Sequence, residues 1–318
     1  MTTVEEAPGP NPSLYTGRGE GHAIGHHGEL IQGVFEDEQG LLHRGLVTIP
    51  LDGLRSTAEL ILDESENLNV EPREKTKALR AAHLTLEQLG RPKAGGLLRV
   101  ESDIPIGHGY GSSTADVVAS IQAAASALRT KLTPASISRL AVAAETATDA
   151  TAFETEALLF AQREGEILEH FGGSLPPFIL LGFKANGTGS VSTLELPPAR
   201  YSLEEIQLFR VLRGAVARAV RLQDPRLLGR AATLSAHISQ RHLSKPSFDY
   251  VIELADHHRA LGIQVAHSGS LFGLLLDPGS ANLTSVIRKI SNELSDAGFQ
   301  DIGVFSVNGA GGIHVLQH

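Results

Sequence analysis

The chain has 318 residues, of which 42% are hydrophobic and 20% charged, proportions typical of a globular protein with a substantial core. Its formal net charge of -9 argues against a nucleic-acid partner, because phosphate binding needs a concentrated basic surface, and the absence of cysteine excludes disulfides, thiolate zinc sites and cysteine nucleophiles. No apolar run is long enough to cross a membrane and the start of the chain does not resemble a signal peptide, so we predict a cytoplasmic protein with no membrane partner.

The first half of the chain combines strand-like runs with helical patterns. Residues 1–17 are rich in proline and lack periodicity, which predicts a flexible tail. The stretch Glu74–Leu89 places four apolar residues on one helical face, and Gly90 and Pro92 end it. The predicted elements are strands within 21–62, the helix over 74–89, a strand over 97–100, an alanine-rich helix over 115–128 and a helix beginning at Thr133-Pro134, where a capping residue precedes proline.

The second half changes character after paired glycines and prolines at residues 172–177. Its predicted elements are a strand over 178–183, a turn at Asn186-Gly187, helices over 203–221, 225–242 and 248–260, strands over 263–266 and 271–276, a helix over 281–297 and a strand over 302–306. This mixture predicts an α+β fold in which helices cover one face of a largely antiparallel sheet. We therefore expect an N-terminal domain over 18–177 and a C-terminal domain over 178–318.

A glycine-rich turn, Pro105–Thr114, precedes the alanine-rich helix. Glycine lets the backbone approach a ligand closely, and a helix start offers unpaired N–H groups and the positive end of its dipole to an anion. The segment therefore predicts a phosphate site, and a tight turn with Ser112 as helix cap is the alternative. No lysine follows the glycines as in a Walker motif, and the space where a dinucleotide fingerprint has an acidic residue is alanine-rich helix.

The glycine-rich turn resembles the second signature of the GHMP kinase superfamily, Pro-x-x-x-Gly-Leu-x-Ser-Ser-Ala. The matching positions are Pro105, Gly109, Gly111, Ser112 and Ser113. Tyr110 stands where leucine is usual, and Thr114 stands where alanine is commonest.

Four further segments are similar to the L-threonine kinase branch of this superfamily, which serves cobalamin synthesis. They are Gly-Glu-Leu-Ile-Gln-Gly at 28–33, the acidic segment at 145–151, Ser-Lys-Pro at 244–246 and Ala-His-Ser-Gly-Ser at 266–270. The lead into the first of these segments differs from the branch, because residues 22–27 read His-Ala-Ile-Gly-His-His. The lysine found in the first motif of several superfamily kinases is also absent. The resemblance extends from about residue 20 to 277.

This resemblance implies a two-domain GHMP kinase fold, with an N-terminal domain like ribosomal protein S5 and a ferredoxin-like C-terminal domain. It implies an ATP- and Mg²⁺-dependent transferase that phosphorylates the hydroxyl of a small amino acid, with L-threonine as the favoured acceptor. A kinase for another hydroxylated amino acid or amine, such as a homoserine-like compound, stays open. So do a nucleotide-binding regulator without catalysis and a member that phosphorylates and then eliminates.

The resemblance also assigns roles to individual residues. Nucleotide binding is expected from Pro105, Gly107, Gly109, Gly111, Ser112, Ser113 and Thr114. Substrate contacts are expected from Glu29, Lys245, His267, Ser268 and Gly269. Asp149 and Ser113 are the expected catalytic residues, with Asp149 as general base, and Glu145 and Ser113 are the expected Mg²⁺ ligands.

Two of these assignments have alternatives in the residue pattern itself. Glu145 and Asp149 stand four residues apart, so both carboxylates lie on one face if a helix continues through them, and a solvated helix end would show the same spacing. A histidine metal site at His22, His26 and His27 is conceivable, although the spacing matches no metal motif. A homodimer is also left open.

Overall fold

The computed structural model describes residues 16–106, 109–185, 200–266 and 270–309. Its strands are β1 (Arg18–Glu36), β2 (Leu42–Asp63), β3 (Leu68–Glu71), β4 (Gly95–Ser102), β5 (Glu156–Ala161), β6 (Glu166–Ser174), β7 (Phe178–Lys184), β8 (Gly262–Val265), β9 (Leu271–Leu276) and β10 (Gln300–Val307). Its α-helices are α1 (Thr76–Gln88), α2 (Ser112–Ala127), α3 (Pro134–Glu145), α4 (Leu203–Leu222), α5 (Pro225–His242), α6 (Phe248–His257) and α7 (Leu283–Asp296). The predicted α+β class is confirmed.

The first sheet has the order β3-β4-β2-β5-β6, with β1 paired to β2. β1 and β2 form a long antiparallel pair whose register shifts on both sides of Glu29. Gly28, at φ +57°, provides the left-handed backbone that this irregular stretch requires. The irregularity matters because it redirects consecutive side chains, and both His26 and Glu29 are buried there.

Helix α2 lies directly against β1 because both surfaces are made of small residues. A Cβ at Gly21 would stand 2.2 Å from the Ala119 carbonyl oxygen, and one at Gly19 would stand 2.1 Å from the Ala127 nitrogen. Alanine on the helix and glycine on the strand therefore allow the two backbones to approach. This close packing places the start of α2 beside the irregular part of β1.

The second sheet is antiparallel, with the order β10-β7-β9-β8. Read from β7, the chain runs strand, helices, two strands, helix, strand, which is the ferredoxin-like arrangement predicted for this half. Helix α4 packs instead toward the first sheet, where the Phe35 and Phe209 rings lie 5.5 Å apart. The division into domains at residues 177 and 178 stays a prediction.

Most of the predicted elements are present, and the differences are local. Strands β3, β5 and β6 were not predicted: β3 is only four residues long, β5 is a short apolar run that does not distinguish strand from helix, and β6 has few buried residues. The predicted turn at Asn186-Gly187 and most of the predicted tail lie outside the described residues. Among the helices that the structure describes, none is both long and apolar enough to span a membrane.

Candidate active site

Helix α2 begins at the glycine-rich turn. Gly111, at φ +72°, is its N-cap and Ser112 its first helical residue, so the alternative of Ser112 as the cap is wrong. A Cβ at Gly111 would lie 2.1 Å from His26 Cδ2, which only glycine avoids. Within the described residues no side chain caps this helix. The N–H groups of its first turn therefore stay available to an anion.

The glycine-rich turn is joined to β1 by two backbone hydrogen bonds. The His26 N–H donates to the Tyr110 carbonyl over 3.0 Å, and the Gly28 N–H donates to the Gly109 carbonyl over 3.2 Å. Pro105 is exposed just before this turn. Four other predicted site residues lie outside the described part of the chain: Gly107, His267, Ser268 and Gly269.

Glu145 faces the first turn of α2. The Ser113 hydroxyl donates to Glu145 Oε2 over 3.0 Å, and the Thr114 hydroxyl donates to Oε1 over 2.9 Å. Burial raises the pKa of the Glu145 carboxyl to about 6, against the hydrogen bonds from the two hydroxyls. The predicted pairing of Ser113 with Glu145 is thus present as a cluster of oxygen atoms.

Glu145 and Asp149 do not share a helix, so the condition on which both carboxylates would lie on one helical face is not met. Helix α3 ends at Glu145 because Thr146 adopts φ +76°, a left-handed conformation that cannot continue it. Asp149 instead precedes a short 3₁₀ helix over Ala150–Phe153. The two carboxylates are nevertheless close, because Thr114 Oγ1 lies 3.4 Å from Asp149 Oδ2 as well as contacting Glu145.

His26 is a partner of Asp149 that sequence reasoning did not find. Its Nε2 lies 2.9 Å from Asp149 Oδ2, although the two residues are 123 positions apart. Burial lowers the pKa of His26, but the adjacent Asp149 carboxylate outweighs this and the net shift is upward. Burial likewise raises the pKa of Asp149, and the His26 charge and hydrogen bond outweigh it, so the net shift is downward. Both directions favour an imidazolium–carboxylate pair.

Glu29 and Lys245 form a second buried charged group. Glu29 is only 7% exposed, so it is not the solvent-facing strand-edge residue that such a position usually holds. Burial lowers the pKa of the Lys245 ammonium to about 8, and the negative charge of Glu29 partly opposes that shift. Two opposite charges are therefore held inside the protein on different elements, β1 and the segment between α5 and α6.

The histidine metal site does not form as a three-histidine cluster. His22 is exposed, and His27 Nδ1 lies 3.0 Å from Gln264 Oε1 in the interior. Of the described residues, His26, Glu29 and Asp149 could jointly hold a metal ion, since one ligand atom from each lies within 4.8 Å of the others. The oxygen atoms of Glu145 and Ser113 suit the hard cation Mg²⁺ better than this mixed group does.

Lys77 is a further charged residue at the site that no local signal revealed. Its Nζ lies 3.7 Å from Glu145 Oε2, and its side chain is 53% exposed. It therefore places a half-exposed positive charge beside the Glu145 carboxylate, which accepts hydrogen bonds from the first turn of α2. The neighbouring Lys75 is directed inward, where its Nζ contacts Asp116 Oδ2 at 2.5 Å.

Comparison with solved structures identifies the fold as that of the GHMP kinases. A homoserine kinase from Cytophaga hutchinsonii superposes with a TM-score of 0.65 at 16% sequence identity, over 93% of this chain and 97% of that one. MDDEF in complex with MVAPP, AMPPCP and magnesium also gives a TM-score of 0.65, at 14% identity, over 95% of this chain and 100% of the other. At these identities the likeness establishes the fold alone.

Sequence comparison finds relatives among the same kinases. Residues 76–155 match the N-terminal domain of the GHMP kinases. The L-threonine kinase of Citrobacter freundii is 35% identical over 190 residues, which cover 56% of this chain and 61% of that protein. The L-threonine kinase of Salmonella typhimurium is 34% identical over 195 residues, covering 61% and 64%. This chain thus carries a GHMP kinase N-terminal domain, the predicted resemblance is confirmed, and the match spans under two thirds of these relatives.

Proposed function

We propose that this protein is an ATP-dependent kinase that transfers the γ-phosphate to the hydroxyl of a small amino acid, with L-threonine as the favoured acceptor. One observation supports the proposal most directly. The carboxylates of Glu145 and Asp149 both lie next to the Thr114 hydroxyl, at the start of α2, where no side chain caps the helix. Phosphoryl transfer requires an anion site, a place for a cation and a base for the acceptor, and this geometry supports all three.

The residues at the start of α2 fit ATP with Mg²⁺. The amide groups of the first turn and the helix dipole suit phosphate oxygens, and Lys77 adds a positive charge at the same place. Glu145 and Ser113 supply the hard oxygen ligands that Mg²⁺ prefers. When bound, the ion would neutralise charge on the phosphate groups. The structural relative MDDEF in complex with AMPPCP and magnesium is consistent with this fit.

Glu29 and Lys245 suit an amino acid as the acceptor. A free amino acid carries one ammonium and one carboxylate, and the buried carboxylate of Glu29 and ammonium of Lys245 can pair with them in turn. On binding, the Glu29 carboxylate would pair with the substrate ammonium, and the Lys245 ammonium would pair with the substrate carboxylate. The two L-threonine kinase relatives support the choice of acceptor, and His267, Ser268 and Gly269 complete the proposed substrate contacts.

Asp149 is the proposed general base. Its carboxylate removes the proton from the acceptor hydroxyl as that oxygen bonds to the γ-phosphorus of ATP. The bond between the γ-phosphorus and the bridging oxygen breaks, and ADP leaves with the electron pair. The downward shift of the Asp149 pKa keeps the carboxylate ionised at neutral pH. The same shift makes it a weaker base, so its role depends on its position beside the acceptor hydroxyl more than on its basicity.

An ADP-release assay with MgATP tests the proposal across L-threonine, L-serine and L-homoserine. We expect release with L-threonine, and a fall in turnover of about 10²–10⁴-fold for Asp149→Asn with ATP binding retained. Asp256→Asn, an exposed change on α6, is the matched control and should keep full activity. Unchanged turnover in Asp149→Asn would refute the base.

The same assay separates the alternative functions. Release with homoserine or serine but not threonine would assign a sister kinase. No release with any acceptor, despite tight ATP binding, would favour a nucleotide-binding regulator. A cytoplasmic location and a homodimer stay predictions.

A further inference from the structure

The His26 imidazole lies at the junction of β1, the glycine-rich turn and Asp149. Its side chain is 3% exposed, and Nε2 makes the 2.9 Å contact with Asp149 Oδ2. Its backbone N–H donates to the Tyr110 carbonyl, next to Gly111. One residue therefore connects the proposed phosphate site with the proposed base.

The turn beside the His26 imidazole has to carry glycine to accommodate the ring, and burying the ring there is unfavourable in free energy. A Cβ on Gly111 would lie 2.2 Å from Nε2, so the turn must carry glycine for the imidazole to reach Asp149. Nδ1 is buried and makes no hydrogen bond of normal geometry within the described residues, although the Gly28 backbone lies close enough to raise the pKa of the ring. Burying an imidazole with one nitrogen poorly satisfied is unfavourable, and an apolar side chain would fill the space without that cost. The contact with Asp149 is the feature that an apolar side chain would lack.

We propose that His26 is a positioning residue that holds the Asp149 carboxylate at a set distance and orientation from the phosphate site, an inference that rests on the proposed kinase function. Both contacts that described residues make with the Asp149 side chain are on Oδ2: the 2.9 Å hydrogen bond with His26, and a 3.4 Å approach of the Thr114 hydroxyl, which donates its proton to Glu145. Oδ1 is thereby left to accept the proton of the acceptor hydroxyl. Asp149 has no α-helix of its own to fix it, because it stands just before a short 3₁₀ helix.

The inference predicts how three variants will rank. His26→Ala removes the contact and should lower kcat by about 10–100-fold, the loss typical of removing a partner that orients a functional group. The KM for MgATP should change less than about threefold, because the start of α2 is retained. His26→Gln keeps a side-chain N–H in reach of Asp149 and should recover most of the lost kcat. His22→Ala, an exposed histidine on the same strand, is the matched control and should be unaffected.

A double variant distinguishes positioning from a general structural effect. If His26 acts through Asp149, adding His26→Ala to Asp149→Asn should cost little more than Asp149→Asn alone. Circular dichroism melting and ATP binding by calorimetry confirm that each variant is folded. Full kcat in His26→Ala, a His26→Gln variant as slow as His26→Ala, or additive losses in the double variant would each overturn the inference. A transition metal bound to the wild type and missing from His26→Gln would also overturn it, in favour of a metal site.

Failure of the inference is distinguishable from failure of the proposed function. If the wild type turns over none of the acceptors, the kinase proposal fails, and the positioning role of His26, which rests on it, fails with it. If the wild type turns over any acceptor, that acceptor supplies the reference rate, and the ranking of the variants alone decides the role of His26.

Discussion

Glu145 is expected to lower the stability of the metal-free protein, and replacing it with glutamine should make that protein more stable. Its carboxyl is 8% exposed and has a pKa of about 6 in place of the ordinary 4.5. This difference corresponds to about 2 kcal/mol at about 1.4 kcal/mol for each tenfold change in proton affinity. The carboxylate of the proposed Mg²⁺ ligand Glu145 is therefore a group whose burial lowers the stability of the fold.

The pH at which this cost appears follows from the direction of the shift. A carboxyl with a raised pKa holds its proton in the folded state at pH values where the unfolded chain has released it. The free energy of unfolding is therefore little affected by Glu145 below pH 4.5 and falls as the pH rises to about 6. Above pH 6 it is lowered by the full amount. Glutamine stays neutral throughout, so Glu145→Gln should gain up to about 2 kcal/mol over the wild type at pH 7.5 and nothing at pH 4.5.

Urea unfolding in EDTA at several pH values measures this difference. Added Mg²⁺ should stabilise the wild type and not Glu145→Gln, which should also lose its kinase activity. Glu101→Gln, an exposed change on β4, controls for the loss of one charge. A Glu145→Gln variant that is less stable than the wild type at pH 7.5, or that differs by the same amount at every pH, would refute the reasoning.

Three further predictions concern the acceptor pocket and the packing. Lys245→Met should raise the KM for the amino acid by about 10–100-fold with the KM for MgATP unchanged in steady-state assays, whereas the exposed Lys289→Met should change neither. Gly182→Ala should cost about 1–3 kcal/mol in denaturant unfolding, because its Cβ would stand 2.3 Å from a buried histidine nitrogen, whereas Gly214→Ala, open on a helix, should be neutral or stabilising. Asp116→Ala should lower the free energy of unfolding by about 3–5 kcal/mol in the same measurement, because it leaves the largely buried Lys75 ammonium without its carboxylate partner. A loss of less than about 1 kcal/mol would contradict this.

Local signals in the sequence were sufficient for many elements of the fold. Helix α3 begins where Thr133 caps the amide of Ser136 and proline follows the cap, both readable from adjacent letters. The ends of α3 and the strands after it were less readable. The left-handed conformation that ends α3 at Thr146 could not be predicted from the sequence, because glycine or asparagine is the usual residue there, so the sequence left open whether the helix continues to Asp149.

The sequence by itself predicted the α+β class and the resemblance to the GHMP kinases, because the order of its motifs along the chain indicated a phosphate site and two acidic residues beside it. Only the tertiary structure decided which side chains meet. Thr114 joins Glu145 and Asp149, His26 reaches Asp149 across 123 positions, and Lys77 reaches Glu145. The physical reason is that sequence motifs reflect local requirements of the backbone, such as the glycine at position 111 that leaves room for the His26 ring. Contacts between distant residues depend on how α2, α3 and β1 pack, and that packing is a property of the whole core.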